Sequence, residues 1–286
     1  MIEKFQGVQH IVGFVNDLDT IVSNSSSIDL YDNSLIPNFC SRYKDWILSS
    51  TSNKIQGLDQ FNFVSYSNGT TEAFDKFRIR HREKDLRVLK DEYLYHRLYL
   101  DADVITDIEL LKTGQALIIS APYSKTGEIH PLMEGILNRC DQLNIPVLID
   151  SAYFGLCSNL EFNFDHPCIE DVTFSLSKVF GTSYYRIGIR FSKCNNDSMT
   201  DFGSSGYVNR LGAVIGNHLF DRFGPDYLFS SFRETQIQFC ESLNLVPSNS
   251  VIFGIDQKNI YNQNPRPDEK GRFCFSKYLV SGNLPT

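Results

Sequence analysis

No stretch of this 286-residue chain approaches the roughly 18 uncharged apolar residues that a membrane-spanning helix needs. The N-terminus, MIEKFQGVQHIVGF, has acidic and polar residues where a secretory signal carries a long apolar run. The seven cysteines (Cys40, Cys140, Cys157, Cys168, Cys194, Cys240, Cys274) are odd in number, scattered and without a CxxC pair. That pattern excludes a disulfide framework and a structural zinc site, and predicts reduced thiols in a cytoplasm. An excess of positive charge is also missing: 27 Lys and Arg stand against 34 Asp and Glu, a net −7. The sign is wrong for a surface that neutralises phosphates, so nucleic acid is not an expected partner. The sequons at Asn24 and Asn68 carry no weight in a cytoplasmic chain. Internal repeats and low-complexity tracts are absent as well.

What is present is an ordinary globular balance, 42% hydrophobic and 21% charged, with alternating strand-like and helix-like segments. Residues 1–58 show no clean period, and the serine-rich run 23–29 reads as a loop. A strand over 61–67 ends in Asn68-Gly69, after which Thr70 and Thr71 open a helix to about residue 82. Short apolar or β-branched runs at 85–89, 116–120, 146–150, 172–177 and 185–191 predict buried strands. Apolar residues 132, 136, 137, 140 and 143 have helical spacing between two of them. A helix is expected at 206–220, then a polar tail from about 230 with turns at 264–267 and a last strand over 271–280. The basic stretch Lys76, Arg78, Arg80, Arg82, Lys84 is interleaved with acids and predicts a solvated helix face.

In open α/β sheets ligands gather at the carboxyl ends of strands. PVLID ends there in Asp150, followed by Tyr153; VTFSLS ends in Ser175, Ser177 and then Lys178; Arg186 and Gly188 follow at eight and ten residues beyond that lysine. Each of these alone reads blandly, as a cap, a surface charge or an interface aromatic. Together LIDSAYFGL (148–156) and SLSKVFGTSYYRIG (175–188) resemble the two signature stretches of the fold-type I aminotransferases, the aspartate aminotransferase superfamily. SNGTTEA (67–73) is similar to that family's phosphate-binding turn, and APYSKTG (121–127) to its Asn-Pro-Thr-Gly loop. The resemblance runs in order over residues 60–193.

That resemblance implies an α/β fold: a three-layer α/β/α large domain with a mainly parallel sheet (59–228), plus a reduced small domain built from the chain ends (1–58 and 229–286). It implies pyridoxal 5′-phosphate bound to Lys178 as an internal Schiff base. Asp150 would face the pyridine nitrogen and Tyr153 the phenolate oxygen. Gly69, Thr70, Thr71, Ser175, Ser177 and Arg186 would hold the phosphate, and Tyr93, in preference to Tyr95, would stack on the ring. Ser124 stands where the family's loop carries asparagine, and Arg272 is the candidate for the substrate carboxylate.

The implied activity is transamination between an amino donor and a keto acid or related carbonyl, in a homodimer. The same cofactor would also serve a decarboxylase or lyase, or a catalytically weak binding protein. Ser175-x-x-Lys178, Lys125-Thr-Gly and Ser281-x-Asn283 also spell the three β-lactamase motifs. Their order along the chain is wrong for that family, and it is set aside.

Overall fold

The computed structural model describes residues 29–195, 197–261, 271–276 and 278–279. The expected turns at 264–267, residues 1–28 and Ser281–Asn283 lie outside them. A seven-stranded sheet forms the centre. Its strands are β2 (Phe63–Ser67), β3 (Asp85–Leu89), β4 (Asp103–Ile105), β5 (Gln115–Ser120), β6 (Val147–Asp150), β8 (Ile169–Ser175) and β9 (Gly188–Ser192). In space they follow the order β2-β9-β8-β6-β5-β3-β4. β9 runs antiparallel to both β2 and β8, whereas β8, β6, β5, β3 and β4 run parallel. The two central strands β5 and β6 are buried along their whole length, as continuous apolar runs in a two-sided sheet should be.

Strand alternation divides the core in two. Ala116 and Ile118 of β5 join Ala73, Phe74 and Phe77 of helix α2 (Thr70–Arg80) on one face. Leu117 and Ile119 point to the other, towards Met133, Ile136, Leu137 and Cys140 of α4 (Met133–Gln142). The result is the expected α/β/α layering. A parallel pair of β1 (Lys54–Gln56) and β7 (Glu161–Asn163) lies apart from the main sheet. So does a small antiparallel sheet of β10 (Val246–Pro247), β11 (Phe253–Ile255) and β12 (Arg272–Cys274).

Four sequence expectations change. Leu35–Leu48 is a helix, α1, burying Ile36, Phe39, Cys40, Tyr43, Trp46 and Ile47 along one stripe. Pro37 sits in its first turn, where the missing N–H has no intrahelical acceptor to lose. The helix expected at 206–220 is α6 (Arg210–Arg222), but the segment after residue 226 is not a polar tail. It is the longest helix described, α7 (Tyr227–Leu243). Its core residue Gln236 is fully buried and donates from Nε2 to the carbonyls of Ser248, Ser250 and Phe253. The last strand closes after Cys274, and residues 276, 278 and 279 are in turns.

The basic stretch is the fourth change. Arg80 keeps only 7% of its side chain exposed and pairs with Asp171 of β8 at 2.5 Å and Asp197 at 3.2 Å. Arg78 donates to the carbonyls of Leu100, His81 and Arg82. The helix face is therefore half structural, because its partners come from β8 and from the cap of α5 (Ser198–Ser205), which local sequence does not reveal. Among the described residues no helix is long and apolar enough to cross a membrane.

Candidate active site at the strand ends

The register brings the predicted residues to one edge of the sheet. Ser67 of β2 and Ser175 of β8 both pair with Gly188 of β9, and Ser120 of β5 pairs with Asp150 of β6. Because β9 is antiparallel, its first residues lie beside the last residues of its neighbours. Arg186, Asn68-Gly69, Ser175–Lys178 and Asp150 thus collect on the same side.

At one end of this edge is an anion cradle. Gly69 has φ +71, and a Cβ there would collide with the Arg186 guanidinium, so glycine serves both backbone and space. Arg186 Nη2 donates to the Asn68 carbonyl and the Thr71 hydroxyl, each at 2.8 Å. Thr70 and Thr71 open α2, where N–H groups lack intrahelical acceptors and the helix dipole favours negative charge. Glu72 in the same turn is engaged by the Asn68 amide and side chain, at 2.7 and 2.9 Å. Arg186 itself is held in a left-handed conformation, φ +53, with its carbonyl accepting from Tyr66 Oη at 2.9 Å. Ser175 Oγ donates to Ser177 Oγ at 2.9 Å and lies 3.2 Å from the Ile187 carbonyl oxygen, so the two hydroxyls and the Arg186 loop are tied together.

At the centre, Asp150 is 7% exposed and accepts the Ala152 amide at 3.0 Å. Burial pushes its carboxyl up to about 7, with the charge of Glu92 adding and that of Lys178 opposing. Lys178, half-buried, is therefore within electrostatic reach of Asp150. Ser151 Oγ and the Asp150 carbonyl fasten β6 to Ala121, which fixes the 121–127 loop beside it.

The far side is formed by the C-terminal sheet. Arg272 donates from Nη1 to the Ser124 carbonyl at 3.0 Å, and its guanidinium lies 4.3 Å from the centre of the Phe253 ring. Phe253 in turn packs on Tyr153, centroids 6.0 Å apart. A chain of contacts thus joins Arg272, through Phe253, to the turn after Asp150. Ser124 meets Arg272 through its backbone. Tyr93 stacks on Tyr95 at 5.9 Å, while Tyr95 Oη is committed to Asp75 at 2.7 Å.

Two residues of this edge were not singled out by sequence. Glu92 is buried and accepts the Ser120 amide and hydroxyl; burial pushes its carboxyl up to about 7. His96 is fully buried among Phe74, Tyr93 and Tyr95, neither ring nitrogen has a hydrogen-bond partner among the described residues, and burial pulls it down to about 3. Both sit in DEYLYHRLY, a string whose polar half gives no sign of burial.

The fold is similar to that of aminotransferases of known structure. A tyrosine aminotransferase from Leishmania infantum superposes with TM-score 0.67 at 13% identity, covering 96% of this chain and 90% of its own. An aspartate aminotransferase from Thermotoga maritima gives 0.61 at 14% identity, covering 98% and 89%. A PLP-bound C-S lyase from Staphylococcus hominis gives 0.60 at 11% identity, covering 90% and 76%. The likeness in fold therefore extends well beyond residues 60–193. No family model and no curated protein matches the sequence.

Proposed function

We propose that the chain is a pyridoxal-phosphate-dependent aminotransferase, moving an amino group between an amino acid and a keto acid or related carbonyl. The observation that carries this reading is that Lys178 lies within electrostatic reach of buried Asp150 at adjacent strand ends, on the same edge as the Gly69–Thr71/Arg186 cradle. The donor set suits the cofactor. The cradle offers helix-start amides, a threonine hydroxyl and a guanidinium fork to a dianionic phosphate. Asp150 offers a carboxyl poised near neutrality to a basic ring nitrogen, and Lys178 an amine to an aldehyde.

When bound, pyridoxal phosphate supplies the electron sink that makes a substrate α-proton removable. The protein's residues do the rest. Lys178 would hold the cofactor, and once displaced by a substrate amine it would move the proton from the α-carbon. Asp150 would keep the ring nitrogen protonated by opposing charge. Tyr153, oriented by Phe253, would donate to the phenolate oxygen, and Tyr93 would cover the ring, since Tyr95 is tied to Asp75. Ser175, Ser177, Gly69, Thr70, Thr71 and Arg186 would anchor the phosphate. Arg272, aligned by Ser124, would take the substrate carboxylate. The small domain would run over 229–286 with 1–58, set against a large domain at 59–228; the separate C-terminal sheet supports the 229–286 part.

A homodimer follows from the same resemblance, and the seven free cysteines agree with a cytoplasmic setting. The C-S lyase among the similar structures keeps lyase chemistry as a second reading. Borohydride reduction of the cofactor-loaded protein should fix the label on the peptide containing Lys178. Lys178→Ala should lose label and turnover together, the latter by about 10⁴-fold or more, while release of ammonia together with a thiol, with no amino group passed to an acceptor, would mark the lyase. A label elsewhere on the chain overturns the assignment.

A further inference from the structure

Glu92 lies three residues beyond the end of β3, inside the sheet edge that carries Asp150. Its Oε1 accepts the Ser120 amide at 2.8 Å and its Oε2 accepts the Ser120 hydroxyl; the Tyr93 amide donates to the same carboxyl. Ser120 closes β5, and its partner across the ladder is Asp150, so the two carboxyls flank one step of the sheet. Glu92 is 3% exposed and Asp150 7%. The charge of Glu92 raises the cost of ionising Asp150, because the interior screens like charges poorly. The groups facing the pair are Lys178 from the turn after β8, Tyr93 beside Glu92, and His96 from α3 (Tyr95–Tyr99), which is held neutral by burial. Tyr123 comes from the 121–127 loop, with Asp91 and Arg272 beyond it.

We propose that Glu92 and Asp150 form a coupled carboxyl pair holding one proton, kept on Asp150 because Glu92 takes three hydrogen-bond donors where Asp150 takes the Ala152 amide. The pair makes the site ready for a basic ring nitrogen. The Asp150 O–H bond breaks as the N–H bond forms, the proton passes to the ring, and Asp150 remains as the carboxylate beside it. Glu92 stays ionised throughout and adds its field to that of Asp150. No proton need then come from water into a closed site. Glu92 is thus a positioning residue acting through Asp150, and the delivery step rests on the pyridoxal phosphate reading; the pairing does not.

The two parts separate experimentally. In apo-protein labelled with carboxyl ¹³C-Asp and Glu, the Asp150 resonance, identified by its loss in Asp150→Asn, should titrate near neutrality. In Glu92→Gln it should titrate lower by about one pH unit or more, whereas in Asp150→Asn the Glu92 resonance should stay nearly in place, because Glu92 ionises while Asp150 is still neutral. An Asp150 titration unmoved by Glu92→Gln overturns the pair; if that variant does not fold, a wild-type Glu92 resonance that titrates above that of Asp150 does so instead. Calorimetry of pyridoxal phosphate binding at pH 7.5, in buffers of different ionisation enthalpy, counts the protons taken up. Glu92→Gln should take up about 0.2 proton more than the wild type. Equal counts overturn delivery even where the carboxyls couple. Wild-type protein that binds no pyridoxal phosphate overturns the cofactor reading and delivery with it, and the titrations still decide the pair.

Discussion

Two clusters of buried charge stand at opposite ends of the same sheet, and they are built on opposite terms. At the carboxyl ends of the parallel strands, Glu92 and Asp150 are pushed up to about 7 by burial. At the other end, Arg80 and the fully buried Arg190 meet Asp171 and Asp197, with Glu170 and His81 at the margin. There burial pushes Asp197 up too, but hydrogen bonding and charge from Arg190 outweigh it and hold the carboxyl below its ordinary range. Glu170 is held down in the same way by His81 and Arg80. Identical residue types are neutralised by partners at one end and left short of them at the other. The second condition is costly to a fold and useful to a catalyst, which needs groups that change protonation near neutral pH.

The contrast breaks most visibly at Arg80. Arg80→Ala leaves Asp171 buried opposite an empty site, and removing one partner of a buried pair typically costs about 3–5 kcal/mol. A domain of this size should then melt about 10 °C lower or more, while a refolded fraction keeps its cofactor affinity. The sign of the pH dependence follows from the carboxyls held down: their contribution is full above the ordinary carboxylate range and is lost as pH falls through their folded values. Melting scans from pH 7 to 3 check this. Arg80→Ala with unchanged melting would make the cluster a solvated face after all.

A smaller effect should separate the two arginines of the site itself. Arg186→Ala removes a guanidinium already aligned on Asn68 and Thr71, so cofactor affinity should fall about 10- to 100-fold, or roughly 1.5–3 kcal/mol. Arg272→Ala should leave cofactor affinity within about twofold and instead raise the KM of the amino donor. Cofactor titration followed by steady-state kinetics distinguishes them. Loss of cofactor from the Arg272 variant would remove the C-terminal strand from substrate recognition.

How much of this was legible follows the same division. The candidate edge could be found because Asp150 and Lys178 terminate apolar strands, and Gly69, Arg186 and Gly188 keep a fixed order around them. Helix α1 has clear i, i+3, i+4 spacing at residues 36, 39, 40, 43, 46 and 47, hidden by Pro37 and the serines upstream. α7 was obscured because its buried anchor is Gln236, a polar residue satisfied only by carbonyls that come later in the chain. Arg80 and Glu92 share that difficulty. Each is buried by partners 91 and 28 residues away, at Asp171 and Ser120, and a charged letter in a local window carries no mark of such a partner.

Glu92 offers the subtlest test. Its carboxyl is raised above the value it would have in the unfolded chain, so its linkage runs opposite to that of Asp197. Below about pH 4 the group is protonated in both states and costs nothing. As pH rises from its ordinary value of 4.5 through about 7, the unfolded chain ionises more easily than the folded one, and stability falls. Glu92→Gln keeps the shape, and the amide can accept from the Ser120 N–H while donating to its hydroxyl, so the buried hydrogen bonds survive. A tenfold change in an acid constant corresponds to about 1.4 kcal/mol, and relaxation of the site trims the total, so the variant should be more stable by about 1–3 kcal/mol at pH 8. The same variant should match the wild type within about 0.5 kcal/mol at pH 4. Chemical denaturation of the apo-protein at the two pH values measures the difference directly. A gain that is equal at both would mean better packing rather than a relieved charge, and would place Glu92 with the paired cluster at the other end of the sheet.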